Sequence, residues 1–283
     1  MSILAIQSQV ACGHVGNAAA VFPLQRLGFE VWPVATVQYS NHPGHGGFRG
    51  RAADPDLVAD LVAGLAERGV LARCEAVLTG YMGDAALAEA ALAAVARTRA
   101  ANPAALWCCD PVMGDAGTGL YVDPALPDWF RDRAVPRADI VTPNGFELGL
   151  LVGRPVATVA DALAAARAVR AAGPGIVLCT SLAGTAATDA EVVALAVTDA
   201  GAFVVRVPRL TDAPHGAGDL LTALFLGRFL ESRDLAAALS LAVSAVHGVI
   251  AASLAAGADE LVLVAAQNEI VAPSRLFPAE PVS

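Results

Sequence analysis

Three short stretches of this 283-residue chain place carboxylates where a reactive group could work. The first is HGAGD, His215–Asp219, which opens a long apolar run. Its glycines let backbone approach a ligand closely. A helix starting there presents unpaired N–H groups at the positive end of its dipole. Together these describe an anion hole for phosphate. Asp219 conflicts with that reading, because a carboxylate repels phosphate. The conflict disappears if Asp219 faces an alcohol and takes its proton while the backbone amides stabilise the transferring phosphoryl group. The competing reading is a first-turn carboxylate that only supports the helix, by about 0.3–1 kcal/mol.

The second stretch, CCDPVMGD, carries Asp110 at the end of an apolar run, and the third, TPNGFE, holds Asn144 and Glu147 three residues apart. One reading makes Asn144 and Glu147 a capping box at the start of a short helix. The other has Asp110, Asn144 and Glu147 hold hydrated magnesium beside phosphates, since magnesium keeps waters and needs few carboxylates. All 18 basic residues are arginines. Without lysine, phosphate charge must fall to magnesium, helix dipoles and arginine. The same absence excludes P-loop ATPases, protein kinases and pyridoxal-phosphate enzymes that need a Schiff-base lysine.

These residues need elements to hold them. Strands are predicted at Ile3–Ser8, Val31–Gln38, Ala76–Gly80, Ala105–Asp110, Ala138–Asn144 and Gly175–Thr180, with a hairpin at Glu191–Thr198 and Ala202–Val207 and a weak last strand at Leu261–Val264. Helices are predicted from Asn17, as a cap, to about Gly28, and over Pro55–Arg68, Asp84–Ala100, Thr158–Ala172, Gly216–Glu231 and Leu235–Ala256. Ser40–Gly50, rich in Gly, Pro and His, reads as a loop or flap. Strands alternating with helices imply parallel crossovers, hence an α/β fold: one domain over residues 1–283, doubly wound, with a mostly parallel sheet of about nine strands and helices on both faces. Ligands gather at the carboxyl ends of such strands, where Ser8, Gly80, Asp110, Thr142 and Thr180 fall.

Composition narrows the class. The chain is 56% hydrophobic, enough for a sizeable core, and carries a formal charge of -9. That charge argues against nucleic acid or an anionic membrane as a general partner. Five cysteines without a C-x-x-C argue against a disulfide framework or zinc knuckle; Cys108, Cys109 and Cys179 read as core residues. MSILAIQSQ lacks the features of a signal peptide, and no unbroken apolar segment of about 18 residues is evident. The expectation is a cytoplasmic protein in a reducing compartment.

The stretches GHVGNAAAVFPLQRLGFEVWPVATVQYSNH, GYMGD, DPVMGD, TPNGFEL and GAGD follow one another in an order that resembles the pyridoxal kinases of the ribokinase-like superfamily, from about Ile3 to Pro278. The resemblance implies a ribokinase-like fold and ATP-dependent phosphorylation of the 5′-hydroxymethyl group of pyridoxal, with pyridoxine and pyridoxamine as further acceptors. It implies a homodimer using magnesium, often with a monovalent cation. It makes Asp219 the base and Gly216, Ala217 and Gly218 the anion hole. Ser8 would bond the pyridine ring, and Val15 and Tyr81 would line the vitamin pocket. Asp110, Asp115, Thr142, Asn144 and Glu147 would surround ATP phosphates and magnesium; Thr180 is a phosphate-side position. Val207, Pro208, Arg209 and Leu210 match a stretch beside the adenine.

The chain departs from that family where Pro43 and Gly44 replace a threonine and its neighbour after SNH. A hydroxyl that could touch substrate is lost. Some relatives carry lysine where Thr180 stands. His42 matches the family, whereas His45 reads rather as a solvated loop residue. The alternatives are a kinase for another heteroaromatic alcohol such as hydroxymethylpyrimidine, and a vitamer- or nucleotide-binding protein without catalysis. A dinucleotide oxidoreductase is disfavoured, because CGHVGN is not G-x-G-x-x-G.

Overall fold

Alternation along the first strand already assigns its two faces. In β1 (Ser2–Val10), Leu4 and Ile6 enter one apolar cluster, and Ile3 and Ala5 the other. A strand buried on both faces belongs inside a sheet covered by helices on each side. The computed structural model describes residues 1–183 and 190–283. It has a ten-stranded sheet in the order β12 (Glu280–Val282), β11 (Ala202–Pro208), β10 (Glu191–Val197), β9 (Ile176–Ala183), β8 (Ile140–Val141), β5 (Leu106–Cys109), β4 (Cys74–Thr79), β1, β2 (Glu30–Tyr39), β3 (Gly50–Ala52).

The run from β9 through β8, β5, β4 and β1 to β2 is parallel. The outer pairs are antiparallel, including the expected β10–β11 hairpin. A separate ribbon joins β6 (Gly114–Asp115) to β7 (Gly119–Leu120). The helices α1 (Asn17–Arg26), α7 (Ala217–Ser232) and α8 (Leu235–Ala255) cover one face with α9 (Gln267–Val271). The other face carries α2 (Pro55–Glu67), α3 (Ala85–Ala101), α5 (Gly145–Val152) and α6 (Val159–Ala171), with the short α4 (Leu126–Trp129). Because β1 pairs with β2 on one side and β4 on the other, the winding reverses there, and a crevice opens at the strands' carboxyl ends.

Within the expected doubly wound, mostly parallel sheet, several local features differ from expectation. The sheet has ten strands, because Gly50–Ala52 forms an edge strand inside what reads as flap, and the last strand is Glu280–Val282. Leu261–Val264 is closed by turns instead. Leu263 N–H bonds the Leu261 carbonyl, and Leu261 and Leu263 are buried by side-chain anchoring, not strand pairing. Pro281 is tolerated because β12 is the sheet edge.

Asn17 does not cap α1. It is the first helical residue, and its buried amide donates to the Gln7 and Val34 carbonyls, tying the helix to β1 and β2; the cap is Gly16 at φ 55. Lastly, α8 is long and apolar enough by length and composition to cross a membrane. Leu239, Val243, Val246 and Val249 are buried in the helix–sheet cluster, so its apolar character serves the core. The cysteines are free. Burial pushes the thiols of Cys108 and Cys109 far up, Cys179 up to about 12 and Cys74 up to about 11, while Cys12 is exposed.

Candidate active site

α7 begins where glycine is required. Gly216 sits at φ 91, and a Cβ there would overlap the His14 carbonyl oxygen. From that cap the helix enters the core, with Leu220, Leu221, Leu224 and Phe225 buried. Its first turn therefore faces the crevice, and its amides have no carbonyls of their own to meet. A cavity of about 580 Å³ lies in front of it. Ser8, Val15, Pro43, Gly44, Tyr81, Asp110, Asp115, Asn144, Glu147, Thr180, Gly216, Gly218 and Asp219 line it.

Thr142, Ala217, Val207, Pro208 and Leu210 do not line it. Thr142 lies beneath, bonded to Thr222 Oγ1 at 3.0 Å, and Val207 is buried in the sheet. Arg209 lines a neighbouring hollow that shares Asp115, Asn144 and Ser181 with the first, together with Arg154 and the start of α5.

Three carboxyls gather around the cavity floor. Burial pushes Asp219 up to about 6, against the Gly16 amide that faces it. Glu147 accepts N–H bonds from Met113 at 2.8 Å and Gly114 at 3.4 Å on one oxygen, and from Asn144 at 2.8 Å on the other. Burial outweighs these donors and, with Asp219 nearby, pushes its carboxyl up to about 7. Asp110 is raised well above the usual range by burial and by the charges of Glu147 and Asp219; the Thr222 hydroxyl bonds its Oδ2 at 3.4 Å. Asp115, exposed at the rim, is instead held below the usual carboxylate range. Burial opposes this, but the Thr118 and Gly117 donors prevail.

The local reading of the TPNGFE stretch holds. Asn144 and Glu147 form a complete capping box on α5. Asn144 Oδ1 accepts the Glu147 N–H at 2.9 Å, and its amide donates to the Gly114 carbonyl at 2.8 Å. Among the described residues no set of three His, Cys, Asp or Glu converges as direct metal ligands. The donors fit magnesium that keeps its waters and is reached through them, because crowded buried carboxyls gain from a nearby dication.

Three of the chain's five histidines, His42, His45 and His215, pack on one another beside this floor. His42 stacks on His215 with centroids 4.0 Å apart, and its Nδ1 accepts the Gly44 N–H. Burial, with His215 and His45 nearby, lowers His42 to about 4, so it is neutral at pH 7.

Sequence reasoning missed Thr222, Tyr121 and the facing role of Gly16. Thr222 had a signal: it follows Asp219 by three residues, on the same helix side, in an otherwise apolar run. Tyr121 lines the cavity from beyond β7, and nothing local marks it.

A crevice at a winding reversal, a glycine-bounded helix N-terminus and a carboxyl in its first turn define a kinase of small molecules. Residues 51–263 match the phosphomethylpyrimidine kinase family. The chain is 53% identical to the pyridoxal kinase PdxY of Rubrobacter xylanophilus over 284 residues, 100% of this chain and 98% of that one. It is 51% identical to the PdxY of Deinococcus radiodurans, covering 99% and 96%. Its fold superposes on the pyridoxal kinase from Leishmania donovani in complex with ADP and pyridoxamine with a TM-score of 0.93 at 30% identity, covering 100% and 99%. The chain belongs to the pyridoxal kinase family.

Proposed function

We propose that this protein transfers the γ-phosphoryl group of ATP to the 5′-hydroxyl of pyridoxal, and to pyridoxine and pyridoxamine as further acceptors. The observation that carries this reading is the position of Asp219, in the first turn of α7 and lining the cavity beside Ser8, Val15 and Tyr81. The 5′-oxygen attacks the γ-phosphorus, its proton passes to an Asp219 oxygen, and the bond to the ADP oxygen breaks. The Gly216, Ala217 and Gly218 amides stabilise charge on the moving phosphoryl group. Asp110 and Glu147 would hold magnesium through its waters beside Asn144, with Asp115 and Thr180 on the phosphate side and Thr142 supporting Thr222 beneath them; bound there, the ion neutralises phosphate charge. The Val207–Leu210 stretch is assigned to the adenine end. The active species is proposed to be a cytoplasmic homodimer, for which light scattering at twice the protomer mass is the check.

Asp219 works only when ionised. Since its carboxyl is raised to about 6, kcat/KM is expected to fall as pH drops through about 6. A profile flat from pH 8 to 5 would remove Asp219 as base.

The loss of the flap hydroxyl at Pro43 and Gly44 supports a second reading, a hydroxymethylpyrimidine substrate. Coupled ADP release with magnesium-ATP, offered pyridoxal, pyridoxine, pyridoxamine and hydroxymethylpyrimidine in parallel, tests both. Fast turnover of pyridoxal is expected. Turnover of hydroxymethylpyrimidine alone keeps the chemistry and moves the substrate; silence with all four, in a folded protein that binds ATP, returns the cavity to a binding role.

A further inference from the structure

Glu260 stands outside the cavity lining, in the turn that follows α8, yet its two oxygens reach two elements that form the site. Oε2 accepts the His14 N–H at 3.1 Å. Oε1 meets His45 Nε2 at 3.0 Å, with the two side chains about a fifth and a quarter exposed. Gly13, at φ 94, packs so closely on this carboxylate that a Cβ there would overlap it.

Each contact leads back to the chemistry. His14 lies in the turn between β1 and α1, with its carbonyl against Gly216. Two residues on, the Gly16 amide faces Asp219, and between them Val15 lines the cavity. His45 closes the single 3₁₀ turn Pro43–His45 of the flap, whose Pro43 and Gly44 also line the cavity. The same turn starts at His42, stacked on His215 just before the anion hole. One carboxylate, distant in sequence, thus joins the flap to the turn that supports the anion hole.

We propose that Glu260 is a positioning residue: through His45 it latches the flap over the substrate, and through the His14 amide it fixes the turn against Gly216 and Asp219. This rests on the phosphotransfer reading of the cavity.

The test begins with wild-type turnover of pyridoxal, which settles that reading by itself. His45→Ala, on the exposed flap, is then expected to raise the KM for pyridoxal by about fivefold, the scale of one partly exposed side-chain hydrogen bond, and to leave the KM for ATP unchanged. Glu260→Ala should add a fall in kcat of about tenfold, because the turn loosens as well. Glu260→Gln, whose carbonyl oxygen still accepts the His14 N–H, should recover kcat. A second readout needs no activity. Trypsin can cut the flap after Arg49 and Arg51, and cleavage there should be about fivefold faster in His45→Ala than in the wild type. Unchanged pyridoxal KM and unchanged cleavage in His45→Ala would overturn the latch. So would an equal rise in the KM for ATP.

Discussion

Replacing Asp219 with alanine is expected to lower kcat by about 10³-fold while changing ATP affinity less than threefold. General-base catalysis contributes about 10²–10⁴-fold, and the substitution removes the proton acceptor without touching the amides of the anion hole. Single-turnover phosphorylation and nucleotide titration together check this. A variant that keeps most of its kcat would return Asp219 to the role of a helix-stabilising carboxylate. Asp219→Asn separates function from stability. The folded carboxyl is raised to about 6 from an ordinary 3.8, so the folded state binds the proton more tightly than the unfolded state. Stability therefore falls as pH rises from about 4 through 6. Removing the ionisable group should stabilise the protein by about 1–2 kcal/mol at pH 7–8, since the carboxyl keeps some contact with solvent. The gain should vanish below about pH 4, which thermal melts across that range would reveal.

Gly216→Ala carries the next largest effect. Its backbone lies at φ 91, where an L side chain is strained, and the new Cβ would overlap the His14 carbonyl oxygen. Backbone cannot yield cheaply, so the first turn of α7 must shift and its amides lose their aim. Loss of one such donor costs about 10²–10³-fold in rate, and a comparable fall in kcat is expected here with a stability loss above about 2 kcal/mol. Gly218→Ala is the control for folding: the space around the added Cβ is open, so melting temperature should hold. Wild-type kcat in Gly216→Ala would mean that the hole does not need this geometry.

The cleft was legible where function repeats itself in short motifs. HGAGD, DPVMGD and TPNGFE each supply a carboxyl and a backbone feature within five or six residues, and the strand pattern places them at one end of one sheet. Most helix starts were legible too: Asp84 and Thr158 accept N–H bonds in the first turns of α3 and α6. Asn17 misled because its capping chemistry is local, whereas its actual bonds reach across β1 and β2. Leu261–Val264 misled because apolar alternation reports burial, and a turn can bury the same side chains that a strand would. Glu260 was invisible for a different reason. It is 246 residues from the amide it accepts, and no local pattern marks a contact made only by the folded chain.

The walls of the cleft bear on how such an enzyme parts with what it makes. Pyridoxal and its phosphate carry an aldehyde, which condenses with primary amines and adds thiols. The chain has no lysine, and no cysteine stands among the residues lining the cavity. Four of its five thiols are buried, with proton affinities raised beyond easy ionisation. A reactive carbonyl can sit against this surface without becoming tethered to it. Release then depends on unbinding alone, and the aldehyde leaves intact for the lysines of other proteins.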